Sequence, residues 1–358
     1  MRFVVGDLHL ECIWDGLDRS EDIFTILYNI HAYVHRLWEV NDRENCDIVW
    51  LGDIFDSCTV SHTCISRFME YLKSFDPAIS HKILKGNHDG EPNSKKSSPL
   101  KEIEAAQLAT VYWEPTVEGD DIFIPYCTQK VLDKFTPDIT GKTIFTHVDI
   151  IGLTPGTEKE IGVGLPCVLP EWIINHPDRG TIWSGHIHHP QEKILWYGPL
   201  KHTSLCVVGS VLQTKISEQD DIKRFIYIMS NGLGGSERIN SREIKHFDVT
   251  IGTVEGNKLY ENLLKNDPKL LESTDIVSIR MLCPHNLGHL IDQNGFEDAV
   301  RKHCYYLRYS FTVQKEKKLR MKELDAKLSD IQIGTAFIEK QGLSEKELIL
   351  QDMGSIMQ

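Results

Sequence analysis

The chain has 358 residues, of which 41% are hydrophobic and 25% charged, with a formal net charge of −13. This composition is typical of a globular protein with one large domain and a smaller one. The longest apolar runs are too short to span a membrane, and the acidic balance argues against tight DNA binding by the isolated chain.

Nine cysteines are scattered from Cys12 to Cys304 with no C-x-x-C pair. An odd count without paired spacing favours reduced thiols over a disulfide framework, and it disfavours a zinc finger. The first five residues lead directly into a strand, and no signal or transit peptide fits there. We therefore expect a cytoplasmic protein.

Short apolar runs alternate with segments of helical periodicity over the first two thirds of the chain. Strands are predicted over residues 3–5, 48–51, 83–84, 122–124, 143–145, 181–183, 206–208 and 225–228. Helices are predicted over 23–38, 65–72 and 100–109, with a polar Ser/Lys loop at 93–98. This alternation favours an α/β fold built in layers.

The last third of the chain has a different pattern. The Gly-rich stretch 231–236 indicates a hairpin or a boundary loop, and residues 247–251 alternate like a half-buried strand. A small α+β unit follows, with strands at 276–279 and 305–313 and helices near 257 and 295–302. The last 45 residues are predicted to be helical, either packing on their own domain or serving as an amphipathic handle for another protein.

Five of the predicted strands run directly into His, Asp or Asn side chains. The residues that follow them are Asp7 and His9; Asp53 and Asp56; Asn87, His88 and Asp89; His147 and Asp149; and His186, His188 and His189. In open α/β sheets ligands lie beyond the carboxyl ends of the strands, so we expect these side chains to converge. Each pair alone also fits surface decoration, but five in succession predict a metal site.

The donor set indicates which metals would bind. It holds carboxylates, imidazoles and one amide oxygen without a thiolate, which suits manganese, iron or zinc better than a soft metal. There are more candidate groups than one ion needs, and two ions that share one carboxylate would satisfy them better. Paired ions about 3.5–4 Å apart can stabilise the attacking and leaving oxygens of a phosphoryl displacement.

These five motifs resemble those of the calcineurin-like metallophosphoesterase superfamily over roughly residues 1–230. The resemblance implies an α/β core of two mixed β-sheets flanked by helices, with two divalent ions. Mn²⁺ is the expected ion, with Mg²⁺, Fe²⁺ and Zn²⁺ as alternatives. The implied ligands are Asp7, His9 and His188 for one ion, Asn87, His147 and His186 for the other, and Asp53 as the bridge. His88 is implied as the catalytic, non-ligand histidine that meets the phosphate and assists the leaving oxygen.

Within the superfamily, the stretch Gly52-Asp53-Ile54-Phe55-Asp56 with Ser61 downstream resembles the SbcD/Mre-type DNA-repair nucleases, including phage members. Phosphoprotein phosphatases carry arginines beside the second and third motifs, and this chain has Asp56-Ser57 and Leu84-Lys85 there. The implied domains are a phosphoesterase domain over 1–256, a DNA-binding capping domain over 257–313 and ATPase-binding helices over 314–358.

The resemblance also implies partners and a reaction. The chain would pair as a homodimer with an SbcC/Rad-type ABC ATPase that carries a coiled coil, and would act on DNA ends in double-strand break repair and recombination. Hydroxide held by the two metals would attack the phosphodiester. Two alternatives stay open: another phosphodiesterase of the superfamily, for RNA or cyclic nucleotides, and a non-catalytic scaffold subunit.

Overall fold

The computed structural model of the chain describes residues 1–91, 98–154, 167–197, 202–230, 234–265, 267 and 270–314. The predicted tail over 315–358 lies outside the described residues, as does most of the predicted loop at 93–98. Within the described ranges, no helix is long and apolar enough to cross a membrane.

Seventeen strands and seven α-helices are assigned in the described residues. The strands are Arg2–Val5 (β1), Ile13–Trp14 (β2), Leu17–Asp18 (β3), Cys46–Trp50 (β4), Ile79–Leu84 (β5), Thr110–Tyr112 (β6), Thr116–Glu118 (β7), Asp121–Ile124 (β8), Thr143–Thr146 (β9), Ile182–Ser184 (β10), Gln191–Tyr197 (β11), His202–Val207 (β12), Arg224–Ile228 (β13), Gly234–Arg238 (β14), Ile244–Thr250 (β15), Ile276–Pro284 (β16) and Tyr306–Gln314 (β17). The helices are Ser20–Val40 (α1), His62–Lys73 (α2), Leu100–Ala105 (α3), Gln129–Leu132 (α4), Glu171–Ile174 (α5), Val254–Leu264 (α6) and Gln293–Arg301 (α7).

Two six-stranded mixed sheets form the core. The first has the strand order β14-β13-β1-β4-β5-β6, in which β1, β4, β5 and β6 are parallel. The second has the order β11-β12-β10-β9-β8-β7, in which the four central strands are parallel and both edge strands antiparallel. The predicted α/β fold with two mixed sheets is confirmed.

The two sheets pack face to face, with helices on their outer faces. Val4, Val49 and Leu84 of the first sheet are fully buried against Phe123 and Phe145 of the second. Helices α1 to α3 cover the outside of the first sheet, and α4 and α5 cover the second. Burying one large apolar side chain contributes about 1.5–3 kcal/mol, so these three apolar layers are the main source of stability.

The small unit is a parallel three-stranded sheet, β15-β16-β17, with α6 and α7 as its connections. Its first strand begins at Ile244, ahead of the predicted boundary at residue 257, and the predicted domain boundaries themselves stay predictions. The unit packs on the β2–β3 ribbon through Trp14, and the Tyr306 hydroxyl donates to the carbonyl of Asp15 at 2.8 Å. Two glutamine side chains also reach β15: the amide of Ile244 donates to Gln213 Oε1 (2.6 Å), and that of His246 to Gln219 Oε1 (2.9 Å).

One histidine of the core makes stability depend on pH. His81 on β5 is buried between the rings of Trp50 and Phe75, and burial lowers its pKa to about 3. In the unfolded chain this ring is protonated near pH 6.5. The contribution of the neutral, buried ring to the free energy of unfolding is therefore complete above that pH and is lost as the pH falls toward 3. Between pH 7 and pH 5 we expect the free energy of unfolding to fall by about 2 kcal/mol from this group.

The measurement is urea unfolding at both pH values, on the wild type and on His81→Gln. The glutamine keeps an acceptor for the Trp50 indole N–H, which donates to His81 Nδ1 at 3.3 Å, but it does not titrate. The difference in stability between the two proteins should shrink at pH 5. A difference that does not change with pH would contradict a neutral, buried His81.

Candidate metal centre

The predicted site residues lie at the carboxyl ends of five strands. Asp7 follows β1, Asp53 follows β4 and Asn87 follows β5 in the first sheet, while His147 follows β9 and His186 follows β10 in the second. Because the two sheets stack with these ends on the same side, the loops converge. The structure brings all seven predicted ligands together.

The first group of donor atoms comes from Asp7, His9 and His188. The Nε2 atoms of His9 and His188 are 2.9 Å apart, and His188 Nε2 is 3.8 Å from Asp7 Oδ2. Asp53 Oδ2 lies 3.8 Å from His9 Nε2, which places it at the edge of this group. Donor atoms about 3–4 Å apart are spaced as an ion with bonds of about 2.1 Å needs.

The second group comes from Asn87, His147 and His186, again beside Asp53. Asn87 Oδ1 lies 3.1 Å from His147 Nε2 and 2.8 Å from His186 Nδ1. Asp53 Oδ2 is 3.2 Å from His147 Nε2. Asp53 therefore faces both groups with the same oxygen, as a bridging carboxylate would.

The hydrogen bonds of the histidine rings fit a cation in each group. His9 Nδ1 faces Asp56 Oδ1 at 3.1 Å, and His188 Nδ1 faces Glu218 Oε1 at 3.1 Å, so each Nδ1 carries the proton. Their Nε2 lone pairs then point at each other. Asp7 Oδ2 is buried without a hydrogen-bond partner in the described residues. Lone pairs and an unpartnered carboxylate oxygen in one place repel unless a cation lies between them.

The second group has the same organisation. His147 Nδ1 donates to the carbonyl of Leu51 at 2.6 Å, which leaves its Nε2 free to bind. His186 Nε2 donates to Asp149 Oδ1 at 3.2 Å, which leaves its Nδ1 directed at Asn87. Such outer partners fix the tautomer and orientation of metal-binding imidazoles. The residues present therefore fit two divalent cations.

The buried charges strongly perturb each other's pKa values. Burial alone would raise the pKa of Asp53, but the adjacent His147 and His9 hold it far below its usual range. Burial alone would lower the pKa of His147, but Asp53 and Asp7 raise it to about 9. Perturbation of this size is characteristic of functional sites.

The backbone at the site is strained, and glycines allow it to pack closely. His9, Asp53 and His186 have φ angles of 53°, 46° and 70°, in the left-handed region that side chains other than glycine seldom adopt. Each costs on the order of 1 kcal/mol or more, and such strain clusters at functional sites. A Cβ on Gly86 would stand 2.1 Å from Asp53 Oδ1, so only glycine fits beside the shared carboxylate.

His88 differs from the ligand histidines because it is exposed. Its Nδ1 donates to the carbonyl of Asp56 at 2.6 Å, and its backbone amide donates to Asp53 Oδ1 at 2.8 Å. Its ring lies edge-on to that of His9, with centroids 4.8 Å apart. A donor atom of His88 also lies within 4.8 Å of those of His9 and Asp53, so these contacts hold His88 directly beside the first donor group.

The other polar neighbours support the site. Asp56 and Asp149 accept hydrogen bonds from His9 Nδ1 and His186 Nε2, as described above. Asp89 accepts from the amides of Phe55 (3.0 Å) and Gly86 (2.9 Å), which ties the second and third loops together. Burial, followed by the charge of Asp53, raises the pKa of Asp89 to about 6. His189 turns outward to Asp221, with Nδ1 2.5 Å from its Oδ1.

Sequence reasoning missed the residues behind His188. Thr214, Glu218 and Lys223 follow β12 in a polar stretch that reads as a surface turn, yet Glu218 and Lys223 are buried. Burial alone would raise the pKa of Glu218, but His188 and Lys223 hold it well below its usual range. No local pattern in the sequence distinguishes these residues from solvated ones.

The site agrees with what comparison with known proteins finds. The sequence model of the calcineurin-like phosphoesterase family matches residues 3–190, which is more than half of the chain and includes all seven predicted ligands and His88. No curated protein matches the chain significantly. The match, together with the paired donor groups, implies a metal-dependent phosphoester hydrolase with a dinuclear divalent centre. The chain belongs to the calcineurin-like phosphoesterase family.

Proposed function

We propose that the chain is a metal-dependent DNA nuclease that hydrolyses phosphodiester bonds in the cytoplasm. The observation that carries the proposal is the pair of donor groups that share Asp53, with the exposed His88 held beside them. Two divalent cations bound there would acidify a water molecule and neutralise charge on the phosphate. No other feature of the described residues offers an equally complete set of catalytic groups.

The chain's own residues have distinct roles in this mechanism. Asp53 faces both donor groups and accepts a hydrogen bond from the backbone amide of His88. It therefore fixes the position of His88 relative to the proposed ligands. The carbonyl of Asp56 accepts a hydrogen bond from His88 Nδ1. When the ring is protonated on both nitrogens, its Nε2–H would face the oxygen that leaves phosphorus and could give it a proton. A group in that position steadies or protonates the departing 3′ oxygen of DNA.

The positions that flank the site favour a diester over a monoester. Arginine side chains usually bind a terminal phosphate dianion through paired hydrogen bonds. The two positions beside the second and third motifs, where phosphoprotein phosphatases carry arginines, hold Asp56 and Lys85 in this chain. Lys85 is fully buried, and its ammonium donates to the carbonyl of Glu91 at 2.5 Å, so it does not face the substrate. Neither position therefore supplies a cation for a monoester.

The proposal extends to partners. We propose that the chain acts on DNA ends with an SbcC/Rad-type ABC ATPase, as a homodimer within a heterotetramer, in break repair and recombination. The small unit would serve as a DNA-contacting cap, and the tail over 314–358 would bind the ATPase. The net charge of −13 supports a division of labour in which the partner supplies much of the grip on the DNA backbone.

The test is a substrate panel with Mn²⁺ and the full chain. Plasmid and hairpin DNA, RNA of the same sequence, cyclic nucleotides, bis-p-nitrophenyl phosphate and p-nitrophenyl phosphate are assayed in parallel. We expect cleavage of DNA and of the bis-aryl diester, and little hydrolysis of the monoester.

A second arm adds the coiled-coil ATPase with ATP, which should raise DNA cleavage and tighten DNA binding. The isolated chain should bind DNA weakly at physiological salt. Hydrolysis of RNA or cyclic nucleotides without DNA would indicate the other phosphodiesterase activities. Inertness toward the whole panel, despite bound metal, would indicate a scaffold subunit.

A further inference from the structure

Behind His188 lies a buried carboxylate that no ligand motif includes. Glu218 Oε1 is 3.1 Å from His188 Nδ1, and only 1% of the residue is exposed. The Thr214 hydroxyl lies 2.9 Å from the same ring nitrogen and 2.9 Å from Glu218 Oε1. The ring of His188 is thus held from behind by two side chains of one loop.

The other oxygen of Glu218 is fixed just as firmly. Oε2 accepts from the ammonium of Lys223 at 2.8 Å and from the amide of Thr214 at 3.2 Å. Lys223 is 3% exposed and also donates to the backbone carbonyl of His188 at 3.0 Å. Lys223 therefore fixes both the residue that holds the ring and the backbone that carries it.

The loop that carries Glu218 is itself anchored at the metal centre. The amide of Val211 donates to the carbonyl of Asp7 at 3.0 Å, and that of Ser210 to the carbonyl of His188 at 3.2 Å. A 3₁₀ turn over Ile216–Glu218 then directs the carboxylate inward. A buried ion pair with Lys223 alone would not need Oε1 to face an imidazole, so the ion pair does not fully account for this geometry.

We propose that Glu218, held by Lys223, is the positioning residue that fixes His188 with its proton on Nδ1 and its Nε2 directed at the Asp7–His9 donor group. A carboxylate in this position orients a metal-binding imidazole and makes it more basic. The residue lies beyond residues 3–190, so the family match does not include it. The inference rests on the proposed dinuclear centre, and it concerns one of the two ions only.

The test is Mn²⁺ binding to metal-free Glu218→Gln, measured by calorimetry and by electron paramagnetic resonance. Glutamine keeps the size of the side chain but removes its charge. We expect one of two sites to weaken by about 10- to 100-fold. The spectrum at one equivalent should be that of isolated Mn²⁺, and the spin-coupled pair should need far more metal than in the wild type. The melting temperature of the metal-free protein checks folding.

Two further variants keep the result interpretable. Glu243→Gln removes the charge of an exposed glutamate paired with Arg238, and it should bind both ions as the wild type does. In Glu218→Gln, Lys223 keeps Asp221 as a partner at 3.1 Å. If the variant nevertheless does not fold, the double variant Glu218→Gln/Lys223→Gln takes its place. If the folded variant bound Mn²⁺ at both sites with the affinity of the wild type, this inference would be overturned and the proposed function would remain intact. A wild type that binds no Mn²⁺ would overturn both.

Discussion

Under the proposed mechanism, His88→Asn should lower kcat on DNA by about 10²- to 10⁴-fold while leaving the metal content unchanged, because His88 would meet the substrate and is not one of the seven proposed ligands. The asparagine amide can still donate to the carbonyl of Asp56, and the backbone contact with Asp53 is unaffected. Steady-state kinetics together with elemental analysis of the same preparation makes the measurement.

The leaving group distinguishes acid catalysis from a general loss of activity. The 3′ oxygen of DNA needs a proton, whereas p-nitrophenolate leaves without one. The variant should therefore lose much less on bis-p-nitrophenyl phosphate than on DNA. His176→Asn is the matched control, since this histidine precedes β10 at the opposite end of the sheet. If the variant lost the same factor in activity on DNA and on bis-p-nitrophenyl phosphate, His88 would not be the acid that protonates the leaving oxygen.

Asp53→Asn should abolish binding of both ions and lower activity by about 10³-fold or more, because charge stabilisation at such centres is the largest contribution to catalysis. One oxygen of Asp53 faces both donor groups, and an amide nitrogen in its place would repel a cation. By contrast, a variant of a ligand from a single group, such as His186→Gln, should leave one ion in place.

The measurement is metal stoichiometry by equilibrium dialysis, with thermal unfolding of the metal-free protein alongside. Asp47→Asn is the control. Asp47 is a partly buried carboxylate on β4, the strand that Asp53 follows, and it pairs with Arg2 near the opposite end of that strand. It should keep two ions. Retention of two tightly bound ions by Asp53→Asn would show that the shared carboxylate is not the bridge.

The core strands and the convergence of the five loops could be predicted because both depend on local patterns. Apolar runs such as 48–51 and 143–145 form strands since both faces are buried, and parallel strands must bring their carboxyl ends to one edge. The short elements were not predictable in the same way. Strands β2 and β3 have two residues each, and helices α4 and α5 have four, so each spans only about one period and no pattern repeats within it.

The supporting residues of the site could not be predicted for a different reason. Glu218 acts through a contact made across 30 residues of chain, and its neighbours in sequence are polar and unremarkable. These residues become buried only because the loop after β12 packs against the loops that carry the proposed ligands. The proposed ligands could be picked out because metal chemistry restricts the residue types, whereas many polar groups can support an imidazole.

Gln213 and Gln219 give the loop after β12 a second attachment, to the first strand of the small sheet. Their neighbours Thr214 and Glu218 hold His188, so the two outer anchor points of this loop bind the small sheet and the two inner ones bind the metal centre. A hydrogen bond is lost when its donor and acceptor move about 1 Å further apart, so these contacts restrict the motion of the small sheet relative to the metal centre. A fragment cut before Ile244 would leave the side-chain carbonyls of Gln213 and Gln219 without these partners, so we expect the loop that holds His188 to be less firmly fixed in such a fragment than in the full chain.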